Sequence, residues 1–146
     1  TVDIARQLDL LFRTVTKEGG KEHSYRDIEE LGGGAITSTS IWKLRTGRTR
    51  NPSLKTLQAL SAAFEVPVAY FFTEEVTEDD IPAYLQQYRD EKMVEQIALR
   101  AKDLDDNGKQ AILDMINYVR RVQGLNNNDK GGNEEKADAE GQGSAG

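Results

Sequence analysis

The sequence predicts an all-α protein: five short helices in a compact N-terminal domain over residues 1–72, then a C-terminal helical region over residues 81–124. Three observations predict it. Apolar residues recur at helical spacing, and no segment shows the alternation of a strand. Capping residues stand ahead of these stretches and glycines behind them. The chain has no cysteine, so neither a disulfide framework nor a thiolate zinc site can substitute for a core.

The first helix is expected over Asp3 to Val15, where Ile4, Leu8, Leu11, Phe12 and Val15 share one face and Thr1 or Asp3 caps the start. Lys17 to His23 holds no apolar residue and reads as a connection. Ser24, with Asp27 three residues on, starts a second helix carrying Ile28 and Leu31, and Gly32, Gly33 and Gly34 end it. Thr37 caps a third helix, whose Ile41 and Leu44 lie one turn apart and point inward together, and Gly47 closes it. Pro52 and Ser53 lead into a fourth helix with Leu54, Leu57, Leu60 and Phe64. Pro67 fits the first turn of a fifth, short helix containing Tyr70, Phe71 and Phe72.

Thr73 to Asp80 is acidic, with Val76 its one core-type residue, and is read as a linker. Pro82 starts a helix with Tyr84, Leu85 and Tyr88 on one face, and Val94, Ile97, Ala98 and Ala101 continue a helix towards Leu104. Asp105 to Gly108 makes a turn before a last helix bearing Ile112, Met115, Ile116, Val119 and Val122. Residues 125–146 are almost wholly polar and are expected to remain an unstructured tail, since no core offsets their ordering entropy.

Charge is divided unevenly along this plan. The net charge of −6 argues against a nucleic-acid partner when taken whole, yet residues 1–72 carry +2, residues 73–125 carry −5 and the remainder −3. Lys43 to Lys55 holds five basic residues and no acid. The absence of any apolar run of about 20 residues and of a basic-then-apolar start points to a soluble, intracellular chain with no membrane association.

Helix, glycine-rich turn, then a helix exposing small polar residues is an arrangement that enters the DNA major groove. The run Ile36-Thr37-Ser38-Thr39-Ser40-Ile41-Trp42-Lys43-Leu44-Arg45-Thr46-Gly47 is followed by Asn51-Pro52-Ser53-Leu54-Lys55-Thr56-Leu57 and by the closing Phe64, Val66, Pro67, Tyr70, Phe71 and Phe72. Over about half the chain this pattern resembles the helix-turn-helix domain of the phage Cro and repressor proteins, the Xre type. The resemblance implies a lambda-repressor-like five-helix domain that binds double-stranded DNA. Carried over, the recognition-helix N-terminus falls on Thr37, Ser38 and Thr39, with Ser40 beside them, a further groove-facing position at Lys43, and core positions at Ile41 and Leu44. Its helix N-terminus would offer free N–H groups to phosphate. The basic loop Arg45, Arg48, Arg50 and Asn51 would grip phosphates or put an arginine into a narrow minor groove. Trp42 either touches DNA or covers an edge of the core or a partner.

The Leu44 to Gly47 ending, the loop Arg48 to Ser53 and the C-terminal helical extension are similar to members that act at the nucleoid. That implies a cytoplasmic, dimeric or higher-order DNA-binding regulator. A two-fold protein needs a pairing surface, for which Tyr84, Tyr88, Ile112, Met115, Ile116, Val119 and Val122 are the candidates; the stripe on the last helix serves equally as an intramolecular core face. Two departures stand out. The glycine run enlarges the inter-helix turn, with Glu29 nearby, and the reading positions are mostly Ser and Thr, which pair with any base.

No catalytic constellation, phosphate loop or metal-binding His pair is present in the sequence, so neither enzyme activity nor a cofactor is expected. Asp103-x-Asp105-x-Asn107-Gly108 lacks the distal Glu of a calcium loop and reads as a capping turn. A protein-interaction adaptor built on the same scaffold remains the alternative, and a small-molecule sensor is a third. Repression needs only occupancy of DNA, whereas activation needs a polymerase contact that the sequence does not display.

Overall fold

A computed structural model describes residues 2–125, and every described regular element is helical. The α-helices are α1 (Ile4–Thr14), α2 (Tyr25–Leu31), α3 (Ser38–Arg45), α4 (Leu54–Phe64), α5 (Ile81–Ala101) and α6 (Asp106–Val122), with 3-10 turns at Val68–Phe72 and Glu78–Asp80. The tail expected over residues 125–146 lies outside the described residues, apart from Leu125.

Side-chain caps set most of the starts. Asp3, Ser24, Thr37, Ser53 and Asp105 each accept an N–H from the first turn of α1, α2, α3, α4 and α6 respectively. Ser24 and Asp27 complete a reciprocal capping box. Asp105 opens α6 immediately, because its Oδ1 accepts from the Gly108 N–H at 2.8 Å, so the stretch expected as a turn is the helix's first turn. The two expected C-terminal helical stretches before Leu104 form one helix, α5, with Pro82 in its first turn. The fifth helix of the N-terminal domain is a 3-10 turn, and Pro67 is its cap.

The described residues form two compact units, which divide after Val94. In the first, α1 and α2 both pack on α3, α2 packs on α4, and the Val68–Phe72 turn lies on α1 and α4. Its core holds Leu8, Leu11, Phe12, Leu60, Val66, Tyr70 and Phe71 without solvent exposure, with Phe12 edge-on to Phe64 at 5.1 Å. The buried Gln7 and Tyr70 side chains are paired with backbone groups. Gln7 Nε2 donates to the Tyr70 and Thr73 carbonyls at 3.0 and 2.8 Å, and the Tyr70 hydroxyl donates back to the Gln7 carbonyl at 2.6 Å. Burial pushes the Tyr70 phenol above its usual range.

The packed unit continues past residue 72. Val76 and Ile81 are buried in the same core, and Arg6 Nη2 donates to the Val76 carbonyl at 2.8 Å. Charge counting along residues 73–80 hides their single apolar residue, which is the one that packs. In the second unit, α6 has no buried residue. Among the described residues, no helix is long and apolar enough to cross a membrane.

Candidate nucleic-acid interface

Helix α3 is pinned from beneath by Ile41 and Leu44, at 1% and 2% exposure. That anchoring leaves Thr37, Thr39, Ser40, Trp42 and Lys43 exposed, with Ser38 half-buried. The preceding turn permits this placement. Gly32 lies so close to α4 that an added Cβ would stand 3.3 Å from the Ala59 carbonyl oxygen, and Gly33 and Gly34 take positive φ angles of 72° and 75°.

The N-terminus of α3 is occupied by the protein's own groups. Thr37 Oγ1 accepts from the Ser40 N–H at 3.1 Å and donates to Ser40 Oγ at 2.9 Å. Glu29, on α2, accepts both the Ser38 N–H at 2.5 Å and the Ser38 hydroxyl at 3.0 Å through Oε1. Two of the N–H groups expected to be free for phosphate are therefore satisfied internally. Glu29 stands near the inter-helix turn in the sequence, but nothing local pairs it with Ser38, nine residues on.

Beyond α3 the loop folds back on the helix. The Arg48 and Thr49 N–H groups donate to the Lys43 carbonyl at 2.8 and 3.1 Å, and Gly47 takes φ 80° to make the reversal. The Arg48 guanidinium lies 4.5 Å over the Trp42 ring, so both side chains present one amphipathic plate to solvent. Trp42 is 37% exposed, which makes it a surface residue rather than core cover. Arg50 and Asn51 line a cleft of about 700 Å³ together with Asp3, Thr46 and Thr49.

Arg45 departs from the loop set. Its guanidinium bonds Asp9 at 2.9 Å and Glu22 at 3.1 Å, reaches the Tyr25 hydroxyl at 3.4 Å and lies 4.4 Å over the Phe12 ring. Partial burial works against its charge, but the bonds to Asp9, Tyr25 and Glu22 outweigh it and raise its pKa. For Asp9, burial raises the carboxyl while the bonds from Arg45 and Arg13 prevail and hold it below the usual range. Arg45 thus braces the end of α3 against α1 and the residues before α2. Its charge is matched by two acids, Asp9 and Glu22. Lys43, Arg48, Arg50 and Lys55 remain exposed, and among the described residues none of them has an acidic partner within 4 Å.

The expected pairing residues divide. Tyr84 packs on the core of the first unit, its ring edge-on to Tyr70 at 5.2 Å, and Tyr88 is half-buried with Lys92 5.5 Å over its ring. On α6, Ile112 is half-buried, whereas Met115, Ile116, Val119 and Val122 are exposed, together with Leu113 and Tyr118. The later part of α5 adds Ile97 and Leu99 to these exposed apolar residues.

The chain is 35% identical over 126 residues to the nucleoid-associated protein EspR of Mycobacterium tuberculosis strain H37Rv, an alignment covering 83% of this chain and 95% of the relative. The EspR of strain CDC 1551 gives the same identity and coverage. This chain belongs to the EspR family. The likeness to EspR runs through both compact units, well past the helix-turn-helix region. No known family profile matches the chain.

Proposed function

We propose that this member of the EspR family is a double-stranded DNA-binding regulator of the Xre helix-turn-helix type, located in the cytoplasm at the nucleoid. It binds as a dimer. Helix α3 enters the major groove with Ser38, Thr39, Ser40 and Lys43 towards base edges. Arg48, Arg50 and Asn51 contact phosphates, with Trp42 holding Arg48 in place. Residues of α5 and α6, above all Met115, Ile116, Val119 and Val122, pair the protomers so that two recognition helices stand about 34 Å apart along one face of the duplex. Occupancy of a promoter represses it, and occupancy of many sites organises DNA.

One observation carries this reading: four exposed cations, without acidic partners among the described residues, lie on and beside an exposed hydroxyl-rich helix, in a protein whose net charge is −6. The name of the relatives supports it. The charge match within Arg45, Asp9 and Glu22 leaves Arg45 out of the phosphate set.

Counterion release supplies the test. If Arg48, Arg50 and Lys55 each neutralise one phosphate, log affinity falls with log salt at a slope of about −2.7 per protomer. Arg48→Ala with Arg50→Ala flattens it by about 1.8 per protomer. A titration at several salt concentrations reads both numbers. Affinity independent of salt, or no affinity for any duplex, overturns the proposal.

A further inference from the structure

The hydroxyls around the start of α3 are not equivalent. Ser38 Oγ has one proton and directs it to Glu29 Oε1, the oxygen that also accepts the Ser38 N–H. What Ser38 has left for any outside group is its two lone pairs. Ser40 stands in the opposite condition. Its oxygen already accepts from Thr37, so its own proton remains to be donated. Thr39 has no side-chain partner among the described residues.

Major-groove edges sort by the same property. Adenine N6 and cytosine N4 are donors, whereas guanine O6 and N7 and thymine O4 are acceptors. A freely rotating serine serves both kinds. A serine whose proton is already committed can only accept, and a guanine or thymine oxygen would meet it lone pair to lone pair. We infer that Glu29 is a specificity-determining residue: by fixing the Ser38 proton it makes Ser38 an acceptor-only reader that selects an amino-bearing base, adenine or cytosine.

The geometry holds this state in place. Glu29 is on a helix whose neighbouring Ile28 is 1% exposed, and whose end is fixed by the close approach of Gly32 to α4. Its carboxylate also stands at the positive end of α3, where a phosphate would otherwise gain from the free N–H groups. The residue therefore sharpens base choice while weakening sequence-independent grip. This inference rests on the reading that α3 enters the major groove.

Selection from random-sequence duplexes with the full chain tests it. The wild type is expected to enrich adenine or cytosine at one position of each half-site by about threefold to tenfold, the range of a single neutral hydrogen bond. Glu29→Gln keeps an accepting oxygen without the charge. It should preserve that enrichment and bind all duplexes more tightly. Glu29→Ala should reduce the enrichment to less than about twofold, with circular dichroism checking that the helices persist. Ser38→Ala, which removes the reader and no core atom, should lose the preference at the same position. Retention of the adenine or cytosine preference in Glu29→Ala or Ser38→Ala, or a guanine or thymine preference at that position in the wild type, overturns the inference while leaving DNA binding intact. Failure of every variant and of the wild type to bind any duplex overturns both.

Discussion

Helices α1 and α6 are built alike and used differently. Both carry an apolar stripe at helical spacing and both start from an Asp cap. In α1 that stripe is spent on the first unit, with Leu8, Leu11 and Phe12 at 0% exposure. In α6 the same kind of stripe is left outside, with Met115 at 63% and Val122 at 68%. Periodicity alone states that a face wants covering; what covers it depends on where the rest of the chain lies. Helix α1 meets α3 and the Val68–Phe72 turn, and it adds the paired Gln7 and Tyr70 bonds to the apolar contact. The Gln7 and Tyr70 bonds join residues 63 positions apart, so the start and the end of the first unit share one core.

The largest expected effect breaks that core. Phe12 is fully buried, lies edge-on to both Phe64 and Tyr25, and carries the Arg45 guanidinium on its face. Phe12→Ala should cost about 3–5 kcal/mol, a large share of the stability of a domain this size. Urea unfolding followed by tryptophan fluorescence reads it, since Trp42 belongs to the same unit. Val122→Ala, on the exposed stripe, should change the stability of an unassociated chain by less than about 0.5 kcal/mol.

The second effect concerns what covers α6. Ile116→Glu with Val119→Glu puts two charges on this exposed stripe. Helix content should stay near that of the wild type, while sedimentation at tens of micromolar should shift from dimer to monomer. Duplex affinity should drop with it, because each protomer then binds one half-site alone. A wild-type chain that sediments as a monomer at that concentration would exclude α6 as the pairing surface.

These two helices also show which features a sequence exposes. The caps of α1, α2, α3, α4 and α6 were legible because a cap is a local event: a side chain bonds an N–H three residues on. The Ile41 and Leu44 anchor of α3 was legible for the same reason. Arg45 was not. It stands in a basic run, and only the fold brings it to Asp9, 36 residues away, and Glu22, 23 residues away. Glu29 fell between these cases, nine residues from Ser38 and on another helix. Val76 is legible as the one core-type residue of its acidic stretch, but its place in the core depends on a fold that brings its carbonyl to Arg6, 70 residues away. Local chemistry survives projection onto a sequence, whereas pairing across helices does not.

The smallest expected effect is acid sensitivity, and it sharpens the same contrast because Asp9 and Asp27 both sit in the first unit. Lys17 Nζ, 2.7 Å from Asp27, and the Ser24 N–H hold the Asp27 carboxyl down at about 2. Asp9 is lowered as well, since its bonds to Arg45 and Arg13 outweigh burial. A carboxyl whose folded pKa lies below its unfolded value stabilises the fold fully above the unfolded value near 4, and that contribution is lost as pH falls through the folded value. The melting temperature of the first unit's transition should therefore decline between about pH 4 and pH 2, and Asp27→Asn should flatten part of that decline. Because Asp27 lies at the surface, the part it controls should not exceed about 5 °C. Thermal melts of both proteins across that range, read by Trp42 fluorescence, measure the difference. Parallel curves for the two proteins would remove Asp27 as a source of it.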